Sequence, residues 1–246
     1  MGVEPTGATV TSQDGVTIAL SVGGPADASA PPLVATHGWA NEKSVWSPMM
    51  DDLTTDHLVA AWDLRGHGDS DTPPPGQYSR DHALSDLKAV CNHVRNATTG
   101  PLVLMGHSLG GFLSLVHTLL NPADVVALIL VATGPGFRKP AAREQWNDSV
   151  RAAATKMGQA PGVEEVSMHH DSFVIDRLTE IHCPTLVLLG ERDKRFAASA
   201  SLFERDLDVR ASVVVPGQGH MVHQKAPTEC AAAVRSFLTD VFSTAT

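Results

Sequence analysis

Lysine and arginine are in short supply in this chain: 18 of them stand against 27 aspartates and glutamates, for a formal charge of −9, and they form no dense run. A nucleic-acid partner is not expected, because such binding needs a basic surface to neutralise phosphates. Cysteine is scarcer still. Cys91, Cys183 and Cys230 are far apart and odd in number, which suits buried thiols in a reducing compartment, the cytoplasm, better than a disulfide framework. No run of about 18 apolar residues occurs, and the opening MGVEPTGATV has neither a basic start nor an apolar core. Neither a membrane span nor a signal peptide is therefore expected. Histidine is plentiful, but His169-His170-Asp171 and His182-Cys183 have no H-x-x-x-H or C-x-x-C spacing, so no metal site is expected. Without a G-x-G-x-x-G turn or a G-x-x-x-x-G-K-S/T loop, a nucleotide cofactor has no motif either, and the chemistry should be cofactor-free.

What is present is an ordinary globular composition, 43% hydrophobic and 18% charged over 246 residues. A chain of that length buries roughly 70–75% of its unfolded surface and needs no staples. Short apolar, β-rich runs recur at 8–12, 16–22, 32–38, 57–64, 101–108, 125–133, 184–190 and 211–217. The first two read as a hairpin around Asp14-Gly15, and the later ones are continuous enough to be buried on both faces of a parallel sheet. Helical patterns at 44–55, 79–97, 109–120, 196–207 and 226–242 fall between them. This βαβ succession predicts an α/β fold: about eight strands, mostly parallel, with helices on both faces. One connection is too long. The 48 residues from Pro135 to His182 exceed any ordinary crossover and read as an insertion after strand 6, with two or three short helices. The expected organisation is a core of 1–134 and 183–246 with a small helical cap at 135–182.

The most informative stretch is Leu102-Val103-Leu104-Met105-Gly106-His107-Ser108-Leu109-Gly110-Gly111, an apolar strand running through Gly-x-Ser-x-Gly into a helix. A serine projecting from so sharp a turn needs neighbours without side chains, because Cβ atoms at 106 and 110 would crowd helix against strand. The helix amino terminus aims unpaired N–H groups and its positive dipole end at Ser108. A serine hydroxyl needs a base, and the base an orienting carboxylate. Asp193 and His220 each follow a strand's carboxyl end, the edge at which open α/β sheets bind ligands. Glu191 is a rival acid. Asp124 precedes its strand and is set aside.

In these features the sequence closely resembles the α/β-hydrolase fold superfamily over roughly residues 8 to 242, in its serine-nucleophile, esterase- and lipase-like branch with a short cap. His37-Gly38-Trp39 is similar to that family's oxyanion segment, Asp63-Leu64-Arg65-Gly66-His67-Gly68-Asp69-Ser70 to its D-x-R-G-x-G-x-S turn, and Gly219-His220 to its histidine loop. The resemblance implies an oxyanion hole made by the backbone N–H groups of Trp39 and Leu109. His37 and His67 are expected to hold backbone.

Serine as nucleophile points to acyl transfer: cleavage of a small to medium carboxylic ester through an acyl-enzyme, with Ser108, Asp193 and His220 as catalytic residues. A lactonase, thioesterase, carbon–carbon bond hydrolase or perhydrolase could use the same triad, and a ligand-binding receptor with little turnover is the alternative of another class. Aromatic and aliphatic residues of the insertion, Phe137, Trp146 and Phe173 among them, are expected to line an apolar substrate pocket. Five basic residues against two acidic ones between Arg138 and Lys156 hint at an anionic group on the substrate.

Overall fold

In the computed structural model, which describes residues 5–26, 30–98 and 100–242, eight strands form one sheet. They are β1 (Thr6–Thr11), β2 (Thr17–Gly23), β3 (Leu33–Thr36), β4 (Val59–Trp62), β5 (Leu102–His107), β6 (Val125–Val131), β7 (Thr185–Gly190) and β8 (Val209–Val215). Their order is β1-β2-β4-β3-β5-β6-β7-β8. The β1–β2 hairpin joins antiparallel to β4, and every later pair is parallel. The central strands β3, β4, β5 and β7 are buried at every residue. Continuous apolar runs are what that environment requires, because both pleat faces meet helices.

The helices are α1 (Ser47–Leu53), α2 (Arg80–Ala97), α3 (Leu109–Leu120), α4 (Pro140–Met157), α5 (Ala197–Asp206), α6 (Val222–Lys225) and α7 (Pro227–Phe242). They divide the apolar core into two layers. On one face α2 buries Ala83, Leu87, Val90 and Val94 beside Leu113 and Val116 of α3. On the other α1 and α7 pack Met49, Leu53, Val234 and Leu238 against Leu33, Val103 and Ile129. Spacings of three and four residues place those apolar side chains on one stripe of each helix.

The insertion between β6 and β7 differs from the expected two or three short helices. It holds one 18-residue helix, α4, followed by single 3-10 turns at Val163–Ser167 and Leu178–Glu180. Pro140 opens α4 where a missing N–H costs nothing, and Gly158 closes it at φ 64. Asn147, buried within α4, fastens the loop beyond: its Nδ2 donates to the His169 carbonyl at 2.9 Å and its Oδ1 accepts from the His169 N–H at 2.8 Å.

A buried polar hub sits under the carboxyl edge of the sheet. The Arg65 guanidinium, fully buried, donates to both carboxylate oxygens of buried Asp86 at 2.6 Å, and also to Asp14 and the Gln77 carbonyl. The Asp63 carboxylate accepts from the Lys43 N–H, the Lys43 Nζ and the Asp69 N–H. Together these bonds tie the turn after β4 to α2 and to the loop after β3. Among the described residues no helix is long and apolar enough to cross a membrane.

Candidate active site

The residues singled out in sequence converge on the carboxyl edge of five adjacent strands, β3, β5, β6, β7 and β8. Ser108 stands between β5 and α3 at φ 52 and ψ −115, a backbone conformation that costs a non-glycine residue roughly 1–3 kcal/mol. The surroundings hold it there: its N–H donates to the Val131 carbonyl at 2.9 Å, and its carbonyl accepts from the Thr133 hydroxyl at 2.6 Å. The flanking glycines are sterically required. A Cβ at Gly106 would lie 2.4 Å from the Gly110 backbone, and one at Gly110 would lie 2.1 Å from the Thr36 carbonyl oxygen. Helix α3 therefore approaches β5 and neighbouring β3 as closely as the turn demands.

His220 and Asp193 are joined: the imidazole Nδ1 lies 2.7 Å from Asp193 Oδ2, and the carboxylate is buried while the ring is 40% exposed. The rival acid has another task, since Glu191 accepts from the Gly217 N–H at 2.8 Å and so braces the loop that carries His220. His107, next to Ser108, bonds through Nε2 to the His220 carbonyl at 3.0 Å and places its ring 4.6 Å from the His220 ring. Phe196, which lines the same cavity as Ser108, stacks on His220 at 5.2 Å with the planes 16° apart. The elbow, the histidine loop and the start of α5 are thereby locked to one another.

Trp39 and Leu109 sit beside this elbow, one in the loop after β3 and the other as the first residue of α3. Neither backbone N–H donates to an acceptor among the described residues. His37 and His67 hold backbone, as expected. His37 Nε2 accepts from the Leu64 N–H at 3.0 Å and its Nδ1 faces the Gly38 carbonyl at 2.7 Å. His67 Nε2 accepts from the Ala40 N–H, with Nδ1 against the Arg65 carbonyl. Burial pushes His37 down to about 3, His223 to about 3 and His107 well below the usual histidine range. These buried rings are thus neutral at neutral pH. Burial also pushes the thiols of Cys91 and Cys230 up to about 12 and that of Cys183 to about 11, so none offers a thiolate at neutral pH. Among the described residues no group of three or more His, Cys, Asp or Glu could hold a metal ion.

A cavity of about 160 Å³ opens at Ser108, walled by Phe112, Phe137, Trp146 and Phe196. Of the three aromatics expected to form a substrate pocket, Phe137 and Trp146 line this cavity and Phe173 does not. It packs against the core and lies beneath the guanidinium of Arg177, 4.5 Å away, with Arg80 at 5.7 Å. Sequence reasoning missed His169, whose ring meets Phe112 and Phe137 edge-on and which burial pushes down to about 4. Phe196 and Arg195 were missed as well. Their proximity to the fully read Asp193 was the only available signal.

The profile of the family described as serine aminopeptidase, S33, matches residues 29–172, more than half of the sequence. The chain belongs to that family. It is an α/β hydrolase, and thus an enzyme of the hydrolase class. This hydrolase is 26% identical over 275 residues, covering 94% of it and 98% of the relative, to a Bacillus subtilis (strain 168) protein described as a 2-succinyl-6-hydroxy-2,4-cyclohexadiene-1-carboxylate synthase. It is 37% identical over 111 residues, 45% of its own length and 40% of the relative's, to a pimeloyl-acyl-carrier-protein methyl ester esterase of Pseudoalteromonas atlantica (strain T6c / ATCC BAA-1087). Among solved structures, a thermophilic esterase from Thermogutta terrifontis superposes with a TM-score of 0.76 at 23% identity, over 96% of this hydrolase and 99% of the esterase.

Proposed function

We propose that this α/β hydrolase cleaves small to medium carboxylic esters through an acyl-enzyme formed on Ser108. The observation that carries the reading is the His220–Asp193 bond of 2.7 Å at the same sheet edge as the strained Ser108 elbow. Ser108 Oγ attacks the ester carbonyl carbon, and its proton passes to His220 Nε2. Asp193 holds Nδ1–H, which fixes the tautomer and stabilises the imidazolium. The carbonyl oxygen becomes an oxyanion held by the free N–H groups of Trp39 and Leu109, and losing one such donor typically costs roughly 3–4 kcal/mol of transition-state stabilisation. The tetrahedral species collapses with cleavage of the carbon–oxygen bond, the alcohol leaves with the proton from His220, and water then releases the acid by the same steps.

Residues 135–182 act as the cap over this chemistry, supported by the contributions of Phe137, Trp146 and His169 to the cavity wall. Three cysteines without disulfides fit a cytoplasmic setting. The test is kcat/KM on a panel of methyl and aryl esters of graded acyl length. Wild type should turn them over, while Ser108→Ala should be inactive with its Tm retained; equal rates for the two proteins would reject the reading. A non-ester reaction on the same triad, carbon–carbon bond hydrolysis among the candidates, is the second reading, favoured by the full-length similarity to a Bacillus subtilis relative that is described as a synthase and not as an esterase. It predicts Ser108-dependent turnover of non-ester substrates with the ester panel silent.

A further inference from the structure

Arginine in this protein is almost everywhere neutralised. Of 12 arginines, Arg65, Arg80, Arg95, Arg138, Arg151, Arg177, Arg205, Arg210 and Arg235 each face a carboxylate, and Arg192 is exposed and lies outside the cavity at Ser108. Arg143 donates to the Phe137 and Arg138 carbonyls. Of the five cations between Arg138 and Lys156 that hinted at an anionic substrate, the three arginines are thus engaged elsewhere, Arg138 with Asp176 and Arg151 with Glu144 and Asp148, and none of the five lines the cavity at Ser108. Arg195 differs on each count. It lines that cavity, is exposed, and among the described residues its guanidinium has no hydrogen-bond or carboxylate partner.

Among the described residues the guanidinium is held by Trp146, whose ring centroid lies 5.0 Å from the guanidinium carbon. Stacking on an indole restrains the guanidinium through its face and leaves the in-plane N–H fork free, the geometry that receives a carboxylate with two parallel bonds. No Asp or Glu lines the cavity among the described residues, and the lining hydroxyls of Ser167 and Ser199 add polar partners on the same wall. In a chain of net charge −9, an uncompensated cation beside the nucleophile is the local feature that would favour an anion there. A cavity of about 160 Å³ is close to one known to enclose a six-carbon ring, so the group between scissile carbonyl and cation is short.

We infer that Arg195 is a specificity-determining residue, binding a carboxylate on the substrate, and that preferred substrates are short monoesters of dicarboxylic acids. This rests on the ester-hydrolase reading above. The test compares monomethyl adipate with methyl hexanoate, which have the same number of acyl carbons, by pH-stat on wild type, Arg195→Met and Arg195→Lys. Wild type should favour the anionic ester. Arg195→Met should lower the ratio of the two kcat/KM values roughly 10- to 100-fold, mainly through KM of the anionic ester. Arg195→Lys should restore part of it, and added salt should shrink the wild-type ratio. A wild type without preference, or a ratio unchanged in Arg195→Met, overturns the inference while leaving ester hydrolysis intact. Calorimetric binding of monomethyl adipate to Ser108→Ala, with and without Arg195→Met, decides the point independently of turnover. If no ester is cleaved by wild type, loss of that binding in the double variant still supports the carboxylate site, and undiminished binding rejects it.

Discussion

Lowering the pH from 7.5 to 5.5 should cost this protein much of its stability through three buried histidines. His37, His117 and His223 are pushed down from 6.5 to about 3, about 4 and about 3, chiefly by burial. Their side chains sit in the core at 0%, 1% and 0% exposure. At pH 7.5 each is neutral in the folded and unfolded chain and contributes nothing. Below 6.5 the unfolded chain takes up protons that the folded chain refuses, so stability falls as pH falls until the folded values are reached. One unit below the unfolded value, each histidine costs about 1.4 kcal/mol. These three alone remove about 4 kcal/mol at pH 5.5, against a total of roughly 5–15 kcal/mol for a typical domain, and His57, His67, His107 and His169, which burial also pushes down, add to the loss. At this chain length the loss from the three corresponds to a drop in Tm of about 8–16 °C. The buried thiols of Cys91 and Cys230, pushed up, and the Asp171 carboxylate, held down by Arg80, titrate outside this window. Denaturant titrations at half-unit pH steps measure the slope directly. His117 Nε2 has no partner among the described residues, so His117→Leu removes a titrating group without stranding another polar atom. It should flatten the slope by about 1.2 kcal/mol per pH unit between pH 6 and 5. A flat wild-type profile, or parallel profiles for the two proteins, would refute the reasoning.

Other substitutions probe the hub and the elbow. Asp86→Ala leaves the buried Arg65 guanidinium without its bidentate partner and should destabilise by roughly 3–5 kcal/mol in denaturant titration; a change under about 1 kcal/mol would show the pair to be incidental. Ser108→Gly relieves the positive φ of the elbow and should gain stability of order 1 kcal/mol while losing activity, whereas Ser108→Ala keeps the strain and should gain none. Asp193→Asn should lower kcat about 10⁴-fold at unchanged KM, because the amide favours the wrong imidazole tautomer; a decrease below tenfold would remove Asp193 from the relay.

How much of this could be read beforehand depended on how local the cause was. The apolar runs of β5 and β7 and the stripe of α3 announce themselves within a few residues, because burial on a sheet or a helix face acts at each position separately. Gly106 and Gly110 were legible for the same reason: the turn itself needs them. The choice between Asp193 and Glu191 was not local, since both follow β7 and only the folded loop shows Glu191 engaged with the Gly217 N–H. Phe173 illustrates the limit for aromatics, because its composition matches a pocket wall while two guanidiniums decide its place. The 18 residues of α4 were under-read although Pro140 and Gly158 mark its ends, because its exposed faces carry little apolar periodicity. Arg195 carried no sequence signal beyond its nearness to Asp193; its importance is the absence of a partner, which only the fold reveals.

The central claim is that Ser108 becomes acylated with His220 as its base. Incubation with an aryl fluorophosphonate followed by intact and peptide mass spectrometry tests it most directly. Wild type should gain one adduct, confined to the peptide containing Ser108; His220→Ala should react far more slowly, and Ser108→Ala not at all. An adduct on any other residue, or equal labelling of Ser108→Ala, would contradict the account.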